Sequence, residues 1–305
     1  MSHKSVMVDE SLHWLAIRPE GIYVDGTAGA GGHSAHIAAQ LTEGRLIALD
    51  RDPSAVALAT ERLAEFPQAQ VVLAEYGNMA ETLASLGVSH VDGVLIDAGC
   101  SSMQIDTASR GFSFQVDGPL DMRMNPEVGE SAAAMMVRLS ESEIETILRD
   151  YGDVGPSGRI ASQIKARAIA GTLNTTVDLS QAVAEALPFL TGVPNEVRTV
   201  FQAIRIAVND ELNGLHAGID SAMDCLREGG RLVVISFHSG EDRVVKQVMR
   251  DASRKKRHLY PDGRVRSVDP ARLKVLTPGP VEASAWECQE NSRARSAKLR
   301  AAVRI

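Results

Sequence analysis

Along the first hundred residues, short apolar runs are separated by segments with helical spacing of apolar positions. This pattern predicts parallel strands separated by helices. Between the second and third apolar runs, Ala55, Leu58 and Leu63 recur at helical spacing behind Asp52-Pro53, a favourable helix start. A strand–helix–strand order of this kind predicts an α/β fold around a parallel sheet. The four apolar runs that predict strands cover residues 22–25, 45–50, 70–74 and 91–97.

The strand–helix pattern ends at Asp97. Residues 101–125 show no long periodic segment, and a loop of that length in a compact domain is usually functional or disordered. Its aromatic residues argue against disorder. Helical patterns follow without an intervening strand, so we predict a helical insertion of residues 106–207, to which we assign the binding of a substrate. Those patterns lie at 140–148, which opens with a Ser140-x-x-Glu143 capping box, and at 160–169, 178–187 and 197–208.

The α/β pattern returns at residue 208 and completes a first domain made of residues 1–105 and 208–305. Gly229-Gly230 is predicted to end a helix that starts at Leu212. Two final strands are predicted to form an antiparallel edge, which gives a mostly parallel, seven-stranded, Rossmann-like sheet. The later elements are predicted as a strand at 231–237, a helix at 242–249, a charged linker at 255–270 and strands at 273–276 and 299–305.

Composition indicates a soluble globular protein, with 44% hydrophobic and 23% charged residues among 305. No apolar run approaches the roughly 20 residues that span a bilayer, and the first residues lack the apolar core of a signal peptide. Cys100, Cys225 and Cys288 have no paired spacing for a disulfide or for zinc. We therefore expect a cytoplasmic protein without a metal.

Charge is unevenly distributed on a chain whose net charge is −7. Residues 243–266 contain nine lysines and arginines against two acids, and residues 291–305 contain five basic residues and no acid. A basic C-terminal third on an acidic protein suggests a local surface for a polyanion. The alternative is an ordinary solvated helix face and loop.

Candidate chemistry lies at the carboxyl ends of the predicted strands, where doubly wound folds bind ligands. Asp25 precedes a glycine loop, and Asp50 ends the second strand, where an acid can accept both hydroxyls of a ribose. This combination looks like the S-adenosylmethionine site of a class I methyltransferase. Glycines that only allow tight packing, or a nicotinamide site, are the alternatives. The residues expected at this edge are Asp25, Gly31, Gly32, His33, Asp50, Met79, Asp97 and His238.

Longer motifs occur along nearly the whole chain. They include Asp25-Gly26-Thr27, Gly31-Gly32-His33-Ser34, Asp50-Arg51-Asp52-Pro53, Gly99-x-Ser101-Ser102-x-Gln104, Arg110-Gly111-Phe112-Ser113-Phe114, Asp117-Gly118-Pro119-Leu120-Asp121-Met122-Arg123-Met124, Ser236-Phe237-His238-Ser239 and Asn291-x-Arg293-x-Arg295-Ser296. Together these motifs resemble the ribosomal RNA small-subunit methyltransferase H family. The resemblance implies methyl transfer from S-adenosylmethionine to the exocyclic N4 of a cytosine in the decoding region of small-subunit rRNA. The partner would be that rRNA or the assembled small subunit, and a homodimer is left open.

The resemblance also implies roles for individual residues. Catalysis is assigned to Asp97 and Ser101, and RNA contacts to Arg123, His238, Arg293 and Arg295. The chain departs from the family pattern at Met79, which replaces an aromatic residue, at Ala98, Cys100 and Met103, and at Gly240, which replaces a leucine. The cofactor contacts are assigned to Gly31, Gly32, His33, Asp50, Met79, Asp97 and Gln104.

A cytosine N4 amine is a poor nucleophile because its lone pair is delocalised into the ring. An acceptor must bind one N4 hydrogen, and Asp97 or a carbonyl of residues 98–102 is expected to do so. Ser101 or Ser102 either holds the base edge or only stabilises a turn. Phe112 and Phe114 either stack on an extruded base or fill the core of the insertion. The competing hypotheses are a DNA or protein methyltransferase, a nicotinamide-dependent oxidoreductase and a non-catalytic RNA-binding module.

Overall fold

Two compact units make up the chain, one formed by Met1–Gly99 with Leu212–Ile305 and the other by Cys100–Glu211. The computed structural model describes residues 4–188, 195–261 and 264–305. The insertion predicted at residues 106–207 lies inside the second unit, which starts six residues earlier and ends four residues later.

A central sheet organises the first unit. The strands are β1 (Ile22–Asp25), β2 (Arg45–Asp50), β3 (Ala69–Leu73), β4 (Val91–Asp97), β5 (Leu226–Ser236), β6 (Lys256–Leu259), β7 (Val265–Asp269), β8 (Leu273–Val275), β9 (Val281–Glu282) and β10 (Lys298–Arg304). Eight of them form the sheet in the order β3-β2-β1-β4-β5-β10-β8, with β9 also paired to β10. Strands β1 to β5 are parallel to one another, whereas β10 is antiparallel to β5 and β8.

Helices cover the sheet and form the second unit. They are α1 (Val8–Leu15), α2 (Gly32–Ala38), α3 (Pro53–Leu63), α4 (Met79–Ser85), α5 (Ser102–Asp106), α6 (Ala132–Arg138), α7 (Glu141–Gly152), α8 (Ser157–Ile169), α9 (Thr176–Ala186), α10 (Glu196–Asn209), α11 (Glu211–Cys225), α12 (Ser239–Ala252) and α13 (Ala285–Glu290). In the described residues, no helix combines the length and the apolar character needed to cross a membrane.

The central strands are apolar almost throughout because both faces of the sheet are covered. In β4, the residues from Val91 to Ile96 are buried, and only the terminal Asp97 is partly exposed. Parallel register puts the carboxyl ends of β1, β2 and β4 at one edge of the sheet. Asp25, Asp50 and Asp97 are therefore brought to the same edge, as predicted.

The second unit packs its helices around its own core, which includes Ile144, Ile160, Leu179 and Phe201. The predicted capping box at Ser140 is present: the Ser140 hydroxyl accepts from the Glu143 amide, and the Glu143 carboxylate accepts from the Ser140 amide. The non-periodic segment 101–125 contains only short helical turns, including α5.

Two segments differ from their sequence predictions. Helix α11 ends at Cys225, and Gly229-Gly230 lies within β5, where pairing with β4 shifts register. Gly229 has φ +79°, a conformation that favours glycine, so these glycines accommodate the irregular strand instead of ending the helix. Residues 255–270, predicted as a linker, contain β6 and β7 as a separate antiparallel pair. All of β7 and the first two residues of β6 are exposed, so the apolar alternation that predicts a half-buried strand is not expected there.

Candidate active site

The loop after β1 is locked by the carboxylate of Asp25, which is fully buried. Its Oδ2 accepts from the Ser34 hydroxyl at 2.6 Å, and its Oδ1 accepts from the Thr27 amide at 3.1 Å. The Thr27 hydroxyl in turn accepts from the Asp97 amide at 2.7 Å. Asp25 therefore joins the glycine loop to the first turn of α2, and Thr27 joins the loop to the end of β4.

Glycine is required at two positions of this loop, at Gly31 because of its backbone conformation and at Gly32 because a side chain has no space. Gly31 has φ +77°, and a Cβ there would lie 3.3 Å from the Ala59 Cα. A Cβ on Gly32 would collide with the Ser5 hydroxyl of the N-terminal arm, the segment 4–7. Gly29 has φ +53°, but a Cβ there would meet no atom within 4 Å. The loop is packed on one side at Gly31 and Gly32 and open at Gly29, so a ligand can approach the backbone there.

Asp50 ends β2 beside this open backbone. Its Oδ2 accepts from the Gly29 amide at 2.8 Å, and its Oδ1 accepts from the Asp52 amide at 2.9 Å. Burial raises the pKa of Asp50 to about 6, although the Asp52 and Gly29 amides pull it down. Each carboxylate oxygen can accept a second hydrogen bond, so both amides and two further donors can be accommodated.

Asp97 ends β4 and faces the imidazole of His33. Its Oδ2 lies 3.6 Å from His33 Nδ1, and His33 Nε2 donates to the Val6 carbonyl at 2.9 Å. In the described part of the chain, the buried Oδ1 of Asp97 has no hydrogen-bond partner. A buried carboxylate oxygen without a partner is costly, which marks it as a site that a ligand can satisfy.

The surroundings of Asp97 raise the pKa of its carboxyl group above the usual value. Burial raises its pKa to about 6; His33 and Arg293 lower it, whereas Asp25 and Glu241 raise it. The carboxylate is therefore poised to exchange a proton near neutral pH.

His238, predicted to contact RNA, is the N-cap of α12 and is mostly buried. Its Nδ1 accepts from the Glu241 amide at 3.4 Å, and its Nε2 lies 3.1 Å from Glu241 Oε1. A Cβ on Gly240 would lie 3.1 Å from the His238 ring, so the glycine at this position leaves the ring room.

Met79, predicted to contact the cofactor, has no exposed surface. Its thioether lies 3.8 Å from the Cys225 thiol within the core beneath α4. Contact between this side chain and a ligand would require movement of the core.

Ser101 and Gln104 lie in the second unit and form a capping box at the start of α5. The Ser101 hydroxyl accepts from the Gln104 amide at 3.3 Å, and Gln104 Oε1 accepts from the Ser101 amide at 3.0 Å. The turn-stabilising role weighed for Ser101 is thus present. Its hydroxyl hydrogen is not used in this bond and can still be donated.

Three arginines were predicted to contact RNA, and their surroundings differ. Arg123 forms a bidentate pair with Asp121, at 2.9 and 2.7 Å. Burial alone would raise the pKa of Asp121, but hydrogen bonds from Arg123 outweigh it and hold that pKa below its usual value. Arg295 is exposed. Arg293 is half-buried and near enough to act electrostatically on Asp97.

Phe114 of the loop packs against the core of the second unit. Phe114 packs edge-on against Phe201 with 5.7 Å between ring centroids, and Phe112 is buried. Asn209 holds the same loop, since its side chain accepts from the Met124 amide and donates to the Met122 carbonyl, both at 2.7 Å.

Sequence reasoning missed Thr27, Ser34, Glu241 and the Val6 carbonyl as parts of the site. Thr27 and Ser34 were within recognised motifs, but nothing local showed which atoms their hydroxyls would bind. Among the described residues, no group of three or more histidines, cysteines or acids is arranged to hold a metal ion.

The sheet order, the glycine loop after β1 and the acids ending β2 and β4 define a class I methyltransferase. The model of the MraW methylase family matches residues 1–305, and the chain belongs to this family. Use of S-adenosylmethionine as the methyl donor follows from that membership.

Similar proteins carry a more specific name. Ribosomal RNA small subunit methyltransferase H of Geobacter sulfurreducens is 46% identical, covering 100% of this chain and 99% of its own. The protein of the same name from Methylibium petroleiphilum is 45% identical, covering 99% of this chain and 95% of its own. A solved rRNA methylase from Streptococcus thermophilus covers 100% of this chain and 99% of its own at 12% identity, with a TM-score of 0.43.

Proposed function

We propose that this protein methylates small-subunit rRNA, and that its target is the exocyclic N4 of a cytosine in the decoding region. The rRNA substrate is supported by full-length relatives that are 45–46% identical and named for it. The amine target is supported by one observation above all. At the end of β4, Asp97 has a buried oxygen without a partner, which is the acceptor that an amine nucleophile requires.

The residues at the sheet edge fit the methyl donor. Gly29 leaves the backbone open, and a ligand placed there would lie beside the Asp50 carboxylate. Asp50 retains acceptor capacity on both oxygens for the two hydroxyls of a ribose. Bound S-adenosylmethionine supplies an electrophilic methyl group, so the protein mainly has to align the nucleophile and exclude water.

Asp97 would bind one N4 hydrogen through Oδ1 and turn the amine lone pair out of conjugation with the ring. Methylation of an amine releases one proton, which Asp97 can accept because its pKa lies near 6. His33 supports this transfer. The Val6 carbonyl can only accept, so His33 Nε2 carries a hydrogen and Nδ1 is the ring atom that faces Asp97 Oδ2.

Ser101 remains our candidate for holding the base edge, through the hydroxyl hydrogen that its capping bond does not use. We likewise propose that the helical unit Cys100–Glu211 binds RNA, with Gln104 serving the cofactor and Arg123 the substrate. The pairing of Arg123 with Asp121 favours orientation of that guanidinium over a role as an isolated cation.

Mass spectrometry of nucleosides from small-subunit rRNA tests the proposal. Cells that lack the protein should lose N4-methylation at one decoding-region cytosine, and the wild-type chain should restore it while Asp97→Ala should not. Methylation at a ring carbon or on DNA would contradict the N4 assignment. If cells with the Asp97→Ala variant gave the same rRNA nucleoside profile as wild-type cells, with the N4-methylation present, the role of Asp97 would be contradicted.

The cofactor is tested separately by thermal stability. S-adenosylhomocysteine should raise the melting temperature with the concentration dependence of a ligand that binds only the folded state. Stabilisation by NAD instead would favour the nicotinamide hypothesis.

Binding of rRNA without any methyl transfer would favour a non-catalytic RNA-binding module.

A further inference from the structure

The strands β6 and β7 form a separate two-stranded sheet, here called the basic ribbon, whose role the active site does not explain. It pairs Lys256 with Asp269 and His258 with Ser267. All of β7 is exposed, as are Lys256 and Arg257 of β6. Among the ribbon residues whose side chains the structure describes, none belongs to a hydrophobic core cluster.

The ribbon lies at the edge of the sheet opposite the active site. Helix α12 starts beyond the carboxyl end of β5 and ends at Ala252, whose carbonyl accepts from the Arg272 amide at 2.8 Å. Strand β8, which follows, is antiparallel to β10 and therefore parallel to β5, so it starts at the amino end of β5. Ile235 pairs with Asp97 near the carboxyl end of β5, and Arg231 lies towards its amino end. At the rise of a strand, these two residues are roughly 13 Å apart.

The ribbon is rich in positive charge. Asp269 is the acidic residue among the described residues of the ribbon, and it accepts from His258 Nε2 at 2.6 Å. Arg264 lies over the Tyr260 ring at 6.0 Å from its centroid, and Tyr260 is half-exposed. The basic residues of the ribbon and its flanks are Arg254, Lys255, Lys256, Arg257, Arg264 and Arg266.

We propose that the basic ribbon is a second RNA-docking surface, which binds the sugar-phosphate backbone of an rRNA segment other than the one that carries the target base. The inference rests on the proposed rRNA substrate and adds to it a place of contact. Six basic residues between 254 and 269 against two acids complement a polyanion on a chain of net charge −7. An isolated two-stranded sheet is marginal in water, so a partner that binds it also stabilises it.

The competing explanation is protective. Charged side chains on exposed strands prevent edge-to-edge aggregation, and they could be present for that reason alone. In that case their removal would promote self-association and leave RNA affinity unchanged.

The experiment compares two double variants of equal charge. Arg257→Gln with Arg266→Gln removes two cations from the ribbon; Lys246→Gln with Arg250→Gln removes two from the exposed face of α12. Affinity for full-length small-subunit rRNA is measured as a function of salt, beside methyl transfer to that rRNA and to a short oligonucleotide carrying only the target region. All four changed residues are exposed, and melting curves check that the folds are intact.

Loss of two phosphate contacts should flatten the plot of log affinity against log salt by about 1.5 and weaken binding roughly tenfold to thirtyfold at 0.1 M salt. The ribbon variant should show this on full-length rRNA, with KM raised, kcat unchanged and the short oligonucleotide methylated as by wild type. The α12 control should show a much smaller effect. Equal effects of both variants, no effect of the ribbon variant, or self-association alone would overturn the proposal. If wild type methylated no rRNA, the proposed function would fail instead, and the binding data would still test the ribbon.

Discussion

His33 Nδ1 lies 3.6 Å from Asp97 Oδ2, and the same ring is held through Nε2 by the Val6 carbonyl. One imidazole thus joins the N-terminal arm, the glycine-loop helix α2 and the carboxyl end of β4. Because Nε2 is committed to a carbonyl, any proton that Asp97 shares with the ring must be at Nδ1. The predictions below concern this pair and the charges around it.

Asp97→Asn should reduce turnover much more than affinity for S-adenosylhomocysteine. The amide keeps the shape of the side chain but cannot take up the proton released by the amine. We expect kcat to fall by at least about a hundredfold, within the usual range for loss of a general base. Single-turnover methyl transfer and calorimetric titration measure the two quantities. An equal loss in both would make Asp97 a cofactor contact only.

The same variant should be more stable than wild type at neutral pH. Burial raises the pKa of Asp97 from 3.8 to about 6, so the folded state binds more protons than the unfolded state between these values. Wild-type stability therefore falls as pH rises through this window, by up to about 3 kcal/mol from this group. Asparagine removes that dependence. Urea unfolding at pH 4 and pH 7.5 should show the advantage of Asp97→Asn growing with pH; a constant difference would contradict it.

Asp50→Ala should weaken cofactor binding because the ribose loses a charged acceptor. Such hydrogen bonds contribute roughly 1.5–3 kcal/mol, or about tenfold or more in affinity. The alanine also releases the Gly29 and Asp52 amides, so Asp50→Asn, which keeps an acceptor oxygen, is the matched control. Titration with S-adenosylmethionine should rank wild type above Asn and Asn above Ala. Unchanged binding in a folded alanine variant would remove Asp50 from the site.

Arg293 and Arg295 are near neighbours in the chain, but they should give different phenotypes. Arg293 lowers the pKa of Asp97, so Arg293→Ala should raise that pKa and move the acidic limb of the kcat profile to higher pH. Arg295 is exposed, so Arg295→Ala should weaken rRNA binding and flatten its salt dependence without moving the pH profile.

Structural bracing is the competing role for this segment. Arg300 shows it clearly, since it is buried and forms a bidentate pair with Asp242 at 2.7 and 3.1 Å. If Arg295 braced the strand in the same way, its alanine variant would lose thermal stability and cofactor binding together, with the salt dependence of RNA binding unchanged.

The order of the elements and the edge that carries the chemistry could be read from the sequence. Apolar runs ending in Asp25, Asp50 and Asp97 predicted parallel strands with their acids at one edge, because buried strands carry few polar residues except where they end. Helix starts at Asp52 and Ser140 were equally local, since an N-cap bonds to an amide two or three residues away.

Only the tertiary structure decided which polar atoms meet. Asp25 is paired with Ser34 in the loop, His33 with Val6 and Asp97, and Asn209 with a loop more than eighty residues earlier. Periodicity records which face of an element is buried, but such hydrogen bonds depend on packing between distant segments. The basic ribbon was missed for the opposite reason. All of β7 is exposed, and a strand that buries no apolar side carries no alternation of apolar and polar residues by which it could be recognised.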